Sequence, residues 1–265
     1  MLCGSLSKWA SPLGAAMHNA GYRALGLDWH YVPFEVNDLG AALSGMRALG
    51  IRGFGVSMPF KLQIMPLLDT LDPLAERIGA VNTVVNDDGK LSGHNTDWVG
   101  AARALAEVRP VAGARVLLLG AGGAARAVAF GLSQQGAHVT IANRTDDKAA
   151  ALAADVGAAH RTWAARNQLD DFDVLLNGSS LGMTDVDEAS PVDTAALRAE
   201  LVVMDIVYKP LDTQLLRAAR ACGCNAIHGG RMLLHQAARQ FELYTGRAAP
   251  LEAMDAALHQ QMAES

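Results

Sequence analysis

Ser57-Met-Pro-Phe-Lys61 places a hydroxyl where a short apolar strand ends and an ammonium group one helical turn further on. Open parallel sheets bind ligands at such carboxyl ends. Asn95-Thr96-Asp97 packs an amide, a hydroxyl and a carboxylate into three residues, and Asn82-Thr83 adds a second amide at a loop end. A lysine and an aspartate converging on one substrate hydroxyl suit alcohol oxidation. The lysine takes or returns the alcohol proton while hydride moves to a nicotinamide, and the aspartate orients the lysine. Singly, each has a plainer reading: Lys61 as a solvated helix residue, Asp97 as an N-cap, Asn82 as a turn former. Gln236 adds weight to the chemical reading. It is an amide on an otherwise apolar helix face beside Met232, Leu233 and Ala237, and a buried amide needs partners.

The other half of such a reaction is a cofactor site, and residues 115–145 have the pattern of one. Val116-Leu-Leu-Leu119 is a buried parallel strand, followed directly by Gly120-Ala-Gly-Gly-Ala-Ala-Arg126, which opens a small-residue helix running through Leu132. Glycines at 120, 122 and 123 permit a tight turn and close approach of backbone to a pyrophosphate, which the helix N-terminus favours. The next strand, His138 to Ala142, ends where a Rossmann unit meets the adenosine ribose. An acidic residue there would bind a free 2′-hydroxyl, but the chain has Asn143-Arg144-Thr145. Arg144 can pair with a 2′-phosphate, with Asn143 and Thr145 donating hydrogen bonds, so NADP is favoured over NAD. Asp146 and Asp147 are the acidic alternative; a helix from Asp147 to Val156 accounts for them at its N-terminal dipole.

The elements that must position these groups fall into two sets. Strands at Leu2 to Leu6, His30 to Phe34 and Gly53 to Ser57 alternate with helices over Leu13 to Leu25, from Asp38 to about Leu49, and from Pro59 through Leu68. Asp87-Asp88-Gly89 between Thr83–Asn86 and Lys90–Ser92 is a hairpin signal, which makes this first sheet mixed but mostly parallel. A helix over Trp98 to Glu107 leads to the strand at Val116, and Val174 to Leu176 and Val202 to Ile206 supply later strands of a second sheet. Helices over Gly229 to Tyr244 and Leu251 to Met262 end the chain, their apolar faces suited to cover the first sheet. The expected architecture is α/β with two domains: a substrate and catalytic domain over 1–99, a Rossmann NADP domain over 100–229, and helices over 230–265 that return to the substrate domain.

Composition narrows the alternatives. A net charge of −5 over 265 residues gives no electrostatic case for nucleic acid. No uninterrupted apolar run approaches the ~20 residues of a membrane span. The first residues lack the basic region and long apolar core of a signal peptide, so cytoplasmic residence is expected. Cys3, Cys222 and Cys224 have neither the spacing nor the companions of a zinc or redox site, and the eight histidines form no metal-binding pattern, so no metal is expected.

Eight motifs in order now resemble one family. Ser57-x-Pro-Phe-Lys61, Ala80-Val-Asn-Thr83, Asn95-Thr-Asp97, Gly120-Ala-Gly-Gly-Ala124, Asn143-Arg-Thr145, Asn177 to Met183, Asp205 to Pro210 and Met232 to Ala237 are similar to those of shikimate dehydrogenases over nearly the whole length. The resemblance implies NADP-dependent interconversion of 3-dehydroshikimate and shikimate. Lys61 and Asp97 would be the catalytic pair, and Ser57, Asn82 and Gln236 ligands of the ring hydroxyls. Tyr208 would lie near the substrate carboxylate. Gly120, Ala121, Gly122, Gly123, Ala124, Asn143, Arg144, Thr145, Asn177, Ser179, Met183, Ile206 and Gly230 would border the cofactor.

Two departures mark this chain. The family's usual Asn-Val-Thr is Gly55-Val-Ser57, and the compact N-terminal serine signature is spread over Ser5-Leu-Ser7-Lys-Trp-Ala-Ser11-Pro12, ahead of His18-Asn19. Ser7 and Ser11 are the candidates for a rebuilt carboxylate site, where hydroxyls and a helix N-terminus can hold an anion. The pattern resembles the divergent shikimate dehydrogenase-like branch. A quinate dehydrogenase of broader cyclitol-acid specificity is the close rival, and a non-catalytic nucleotide and cyclitol sensor the distant one. The expected partner is a small molecule, with the protein a monomer or homodimer.

Overall fold

The computed structural model describes residues 1–184 and 186–264. β1 (Leu2–Ser7), α1 (Pro12–Ala24), β2 (His30–Glu35), α2 (Leu39–Ala48), β3 (Gly53–Val56) and α3 (Phe60–Gln63) come first. Pro12, with φ already fixed, sits in the first turn of α1 behind an extended Ser11, and Asp38 caps α2 by accepting from the Ala41 N–H at 3.0 Å. α3 stops well short of Leu68. Pro66 has no N–H to continue an α-helical ladder, and Met65–Leu67 forms a 3-10 turn instead.

β4 (Thr70–Leu71) and α4 (Pro73–Ile78), which the sequence reading did not anticipate, precede the hairpin of β5 (Thr83–Asp87) and β6 (Lys90–His94). Asp88 and Gly89 take the positive φ values of 50° and 89° that the tight turn demands. The sheet order is β2-β1-β3-β5-β6-β4, with β1 parallel to both β2 and β3, and β5 antiparallel to both β3 and β6. The carboxyl ends of β1, β3 and β6 therefore share one edge with the start of β5. The Asn19 amide shields the outer side of β2, accepting from Tyr31 N at 2.8 Å and donating to Tyr31 O at 3.0 Å.

The second sheet follows α5 (Asp97–Ala106). In chain order come β7 (Arg115–Leu119), α6 (Gly123–Gln134), β8 (His138–Ala142), α7 (Asp146–Val156), β9 (Ala159–Arg161), β10 (Val174–Asn177), β11 (Val202–Asp205), α8 (Gln214–Ala221) and β12 (Asn225–Ile227). All six strands run parallel in the order β12-β11-β10-β7-β8-β9. The strand order reverses between β7 and β10, and a ligand crevice forms outside the carboxyl ends at such a point. β9 and β12 are three residues each, too short to carry a periodicity, while α8 has a clear apolar face of Leu215, Leu216 and Ala219 that the sequence reading passed over.

α9 (Gly229–Thr245) and α10 (Leu251–Ala263) complete the chain. The chain forms two compact units, 1–96 with 234–265, and 97–233. In the first unit α10 packs on α1 at Gly21, where an added Cβ would sit 2.9 Å from the Phe241 ring and 3.3 Å from Met254. α9 lies over β3, where Gly53 and Gly55 present no side chain: Tyr244 covers Gly53, and Gln240 covers Gly55 one helical turn away. The Arg52 guanidinium fastens the end of α9 by donating to Tyr244 O at 2.9 Å.

Candidate active site

The shared sheet edge of the first unit gathers the groups that could bind and turn over an alcohol. Ser57 follows β3 and is exposed, its N–H held by Leu6 O at 3.0 Å. α3 then carries a half-buried Lys61, whose carbonyl accepts from Val81 N at 2.9 Å and so ties the helix to the segment entering β5. Asn82 lies in that segment. Its N–H donates to His94 O at 3.0 Å and its carbonyl accepts from Val56 N at 2.7 Å, so backbone on both sides fixes it between β3 and β6.

The Asn82 side chain is buried and densely bonded. Its Oδ1 accepts from Thr96 N at 2.7 Å, Thr83 Oγ1 at 2.8 Å and Thr96 Oγ1 at 3.2 Å, while Nδ2 donates to Thr96 Oγ1 at 3.1 Å. The backbone donor fixes the orientation of the amide. With Oδ1 saturated, anything a ligand receives from Asn82 must come from its N–H face. Asn95 donates to Ala80 O at 3.0 Å. The next residues on are Thr96 and Asp97; Asp97 is 5% exposed and opens α5 inside its first turn, rather than serving as the N-cap.

Two expectations for this half need adjustment, the burial of Gln236 and an uncommitted hydroxyl on Ser7. Gln236 is half-buried and makes no side-chain hydrogen bond among the described residues; the buried amide of α9 is Gln240, one turn on. Apolar neighbours in sequence misled, because the helix face toward β3 is set by the glycines it meets. Ser7 is buried, and its hydroxyl donates to Trp9 O at 2.7 Å, shaping its own loop. Ser11 is exposed and its hydroxyl caps nothing, so of the two serines it keeps a hydroxyl to offer.

In the second unit Gly120 has φ 111°, and a Cβ there would lie 2.9 Å from the Gly178 backbone, so the loops after β7 and β10 close on each other only through glycine. At Gly122 and Gly123 an added Cβ would meet no protein atom within 4 Å. These glycines are the N-cap and first residue of α6, whose first-turn N–H groups have no intrahelical partner. Ala121 and Ala124 are half-buried beside them. At the end of β8, Asn143 Nδ2 donates to Thr145 O at 3.0 Å, folding a turn that leaves Arg144 and Thr145 exposed. Arg144 makes no ion pair among the described residues. α7 starts at Asp146, whose carboxylate accepts from Trp163 N at 3.1 Å. Glycine cradle, helix N-terminus and uncommitted guanidinium together fit a dinucleotide bearing a 2′-phosphate.

Asn177 and Asp205 stabilise that cradle from beneath. Asn177 donates to Leu181 O at 2.8 Å and Asp205 Oδ1 at 3.0 Å, and accepts from Ser179 N at 3.1 Å and Ser179 Oγ at 2.7 Å. Its amide is wholly used by its own loop and by Asp205, so it shapes the loop after β10 rather than reaching a ligand by side chain. Asp205, fully buried, also accepts from Val207 N at 3.0 Å and Thr213 Oγ1 at 2.8 Å. Burial pushes its carboxyl up to about 6 against those donors. Met183 and Tyr208 are exposed along the two loops held this way, Ile206 is half-buried, and Gly230 is buried against His228 and Leu211. Among the described residues no cluster of three or more His, Cys, Asp or Glu could hold a metal, and no helix is long and apolar enough to cross a membrane.

A parallel sheet with a glycine cradle and an exposed arginine after β8, and a mixed α/β unit rich in hydrogen-bonding side chains, define a dinucleotide-dependent oxidoreductase. Comparison with known proteins gives the family. Residues 7–84 match the shikimate dehydrogenase substrate binding domain, 102–212 the shikimate / quinate 5-dehydrogenase model and 229–259 the shikimate 5'-dehydrogenase C-terminal domain. The chain is 45% identical to the shikimate dehydrogenase (NADP(+)) of Moorella thermoacetica, covering 96% of this chain and 90% of that one. It is 46% identical to the enzyme of the same name from Natronomonas pharaonis, covering 93% of each. Among solved structures, the Thermus thermophilus shikimate 5-dehydrogenase in complex with NADP(H) and shikimate superposes with a TM-score of 0.89 at 35% identity, covering 98% of each chain. Quinate dehydrogenase from Corynebacterium glutamicum in complex with NAD gives 0.91 at 31% identity, covering 98% of this chain and 99% of that one. The chain belongs to the shikimate dehydrogenase family.

Proposed function

We propose that Lys61 and Asp97 are the proton-transfer pair of an NADP-dependent shikimate dehydrogenase, which interconverts 3-dehydroshikimate and shikimate. NADP supplies the hydride carrier. In reduction the Lys61 ammonium gives its proton to the alkoxide forming on the substrate, and in oxidation its amine takes the proton back. The Asp97 carboxylate holds the ammonium in position and accepts from a neighbouring ring hydroxyl. Ser57, the Asn82 N–H face and Gln236 bind the remaining hydroxyls, and Ser11, at the N-terminus of α1, together with Tyr208 serves the substrate carboxylate. Arg144, with Thr145, holds the 2′-phosphate over the turn made by Asn143, while the loop from Gly120 to Ala124 receives the pyrophosphate. Ser179, Met183, Ile206 and Gly230 border the rest of the cofactor. A cytoplasmic monomer or homodimer suits a small-molecule reaction of this kind.

The observation that supports this reading is the shared sheet edge, where backbone bonds from Val81 N to Lys61 O and from Val56 N to Asn82 O join the end of β3 and α3 to the segment entering β5. Initial rates with shikimate and quinate, each against NADP and NAD, test it on the wild type and on Lys61→Ala. Turnover is expected with shikimate and NADP, with kcat of the variant lower by about 10²- to 10⁴-fold and KM for shikimate little changed. If the wild type binds shikimate without transferring hydride and the variant behaves identically, the catalytic assignment is wrong. Faster turnover of quinate with NAD would move both the substrate and the cofactor assignment.

A further inference from the structure

Gln240 is a buried polar side chain with no place in the proposed binding and catalytic set. It is 6% exposed, and its amide lies over Gly55, 3.4 Å from where a Cβ on that residue would be. The Tyr31 hydroxyl occupies the rest of that space, 2.7 Å from the same point. No side chain fits at 55 unless these two give way. The room left by the strand is filled by an amide that arrives from α9.

That amide has a direction. Gln240 Nε2 donates to Thr83 Oγ1 at 3.1 Å and to Asn82 O at 3.2 Å. A hydroxyl has one proton, and the Thr83 hydroxyl, accepting from Gln240, spends its proton on Asn82 Oδ1 at 2.8 Å. The relay Gln240 to Thr83 to Asn82 therefore helps saturate the Asn82 oxygen and keeps its N–H face as the side offered to a ligand. We propose that Gln240 is a positioning residue for substrate, acting through Thr83 on Asn82 from the space over Gly55. The inference rests on Asn82 being a substrate ligand, as proposed above.

Gln240→Leu keeps volume and removes the donor; Thr83→Val keeps shape and removes the relay hydroxyl. Each is expected to raise KM for shikimate about tenfold, the loss of roughly one buried hydrogen bond, with KM for NADP changed less than about twofold. Because both act on one relay, the double variant should be no worse than the poorer single one. A merely structural role would lower melting temperature without moving KM for shikimate, and that result, or additive effects in the double variant, overturns the proposal. Should Gln240→Leu fail to fold, the response of Thr83→Val decides the same way. Asn82→Ala separates the two levels: if it raises KM for shikimate while Gln240→Leu and Thr83→Val do not, only the relay is wrong. If Asn82→Ala leaves KM unchanged, the ligand assignment falls with it.

Discussion

The two units hold their ligand groups by opposite means. In 97–233 the site is made of backbone: glycines at the end of β7, the first turn of α6, and a loop after β10 whose polar side chains bond one another. In the first unit the candidate site is made of side chains, and the most buried of its amides, Asn82, is held by Thr83, Thr96 and, at one remove, Gln240. A pyrophosphate is the same in every dinucleotide, so a rigid backbone cradle suffices for it. A cyclitol acid differs from its analogues by single hydroxyls, and only side chains fixed in orientation can tell those apart.

The contrast breaks most sharply at the glycines. Gly120→Ala should cost about 3 kcal/mol or more, through strain at φ 111° and the approach to Gly178, and should reduce dinucleotide affinity with it. Gly122→Ala has open space around its Cβ, so it should fold with near wild-type stability yet bind NADP poorly, because the methyl enters the volume a pyrophosphate would use. Thermal unfolding with and without NADP distinguishes them. Equal behaviour of the two variants would remove the cradle argument.

Acid should pull the units in opposite directions. His18 is fully buried in the first unit, stacked on Tyr31 at 4.2 Å between ring centroids, with Nδ1–H donating to Gly14 O at 2.9 Å. Desolvation holds it down to about 4. The unfolded chain gains a proton first, so the stability tied to a neutral His18 is full above about 6.5 and drains as pH falls toward 4. Asp205 has the reverse sign: raised from 3.8 to about 6, it contributes most below 3.8 and loses that contribution as pH rises through 6. Each shift corresponds to a swing on the order of 3 kcal/mol. Hydrogen exchange followed from pH 7 to pH 4.5 should show amides of β1 and α1 losing protection relative to those of β10 and β11. His18→Phe should flatten the first trend and Asp205→Asn the second; parallel trends in the two units would refute the opposition.

A smaller effect sharpens the cofactor half alone. Arg144→Ala should raise KM for NADP about 10- to 100-fold, the range of a charge-assisted pair, and leave KM for NAD nearly unchanged. Equal effects on both cofactors would place the 2′-phosphate elsewhere.

How far the sequence could be read follows from the same contrast. The cofactor loop was legible because its determinants are adjacent: strand, glycines and helix lie within about twenty residues, and a positive φ or a close backbone contact permits little but glycine. The helix–strand alternation of both units was legible for the same local reason. Short elements such as β4, β9 and β12 were not, since two or three residues carry no periodicity. Gln236 was singled out where Gln240 is the buried amide, because local hydropathy cannot say which face of α9 meets bare glycine. Nor does spacing show that the Ser7 hydroxyl spends its proton on the backbone of its own loop.

The amino-acid sequence by itself determined the family, the α/β fold class and the NADP cofactor, since each depends on residue types at fixed short spacings. Only the tertiary structure decided which polar side chains are left to meet a substrate and which are consumed in holding them. Hydrogen-bond satisfaction is a property of groups brought together from β3, β5, β6 and α9, and no spacing along the chain encodes it.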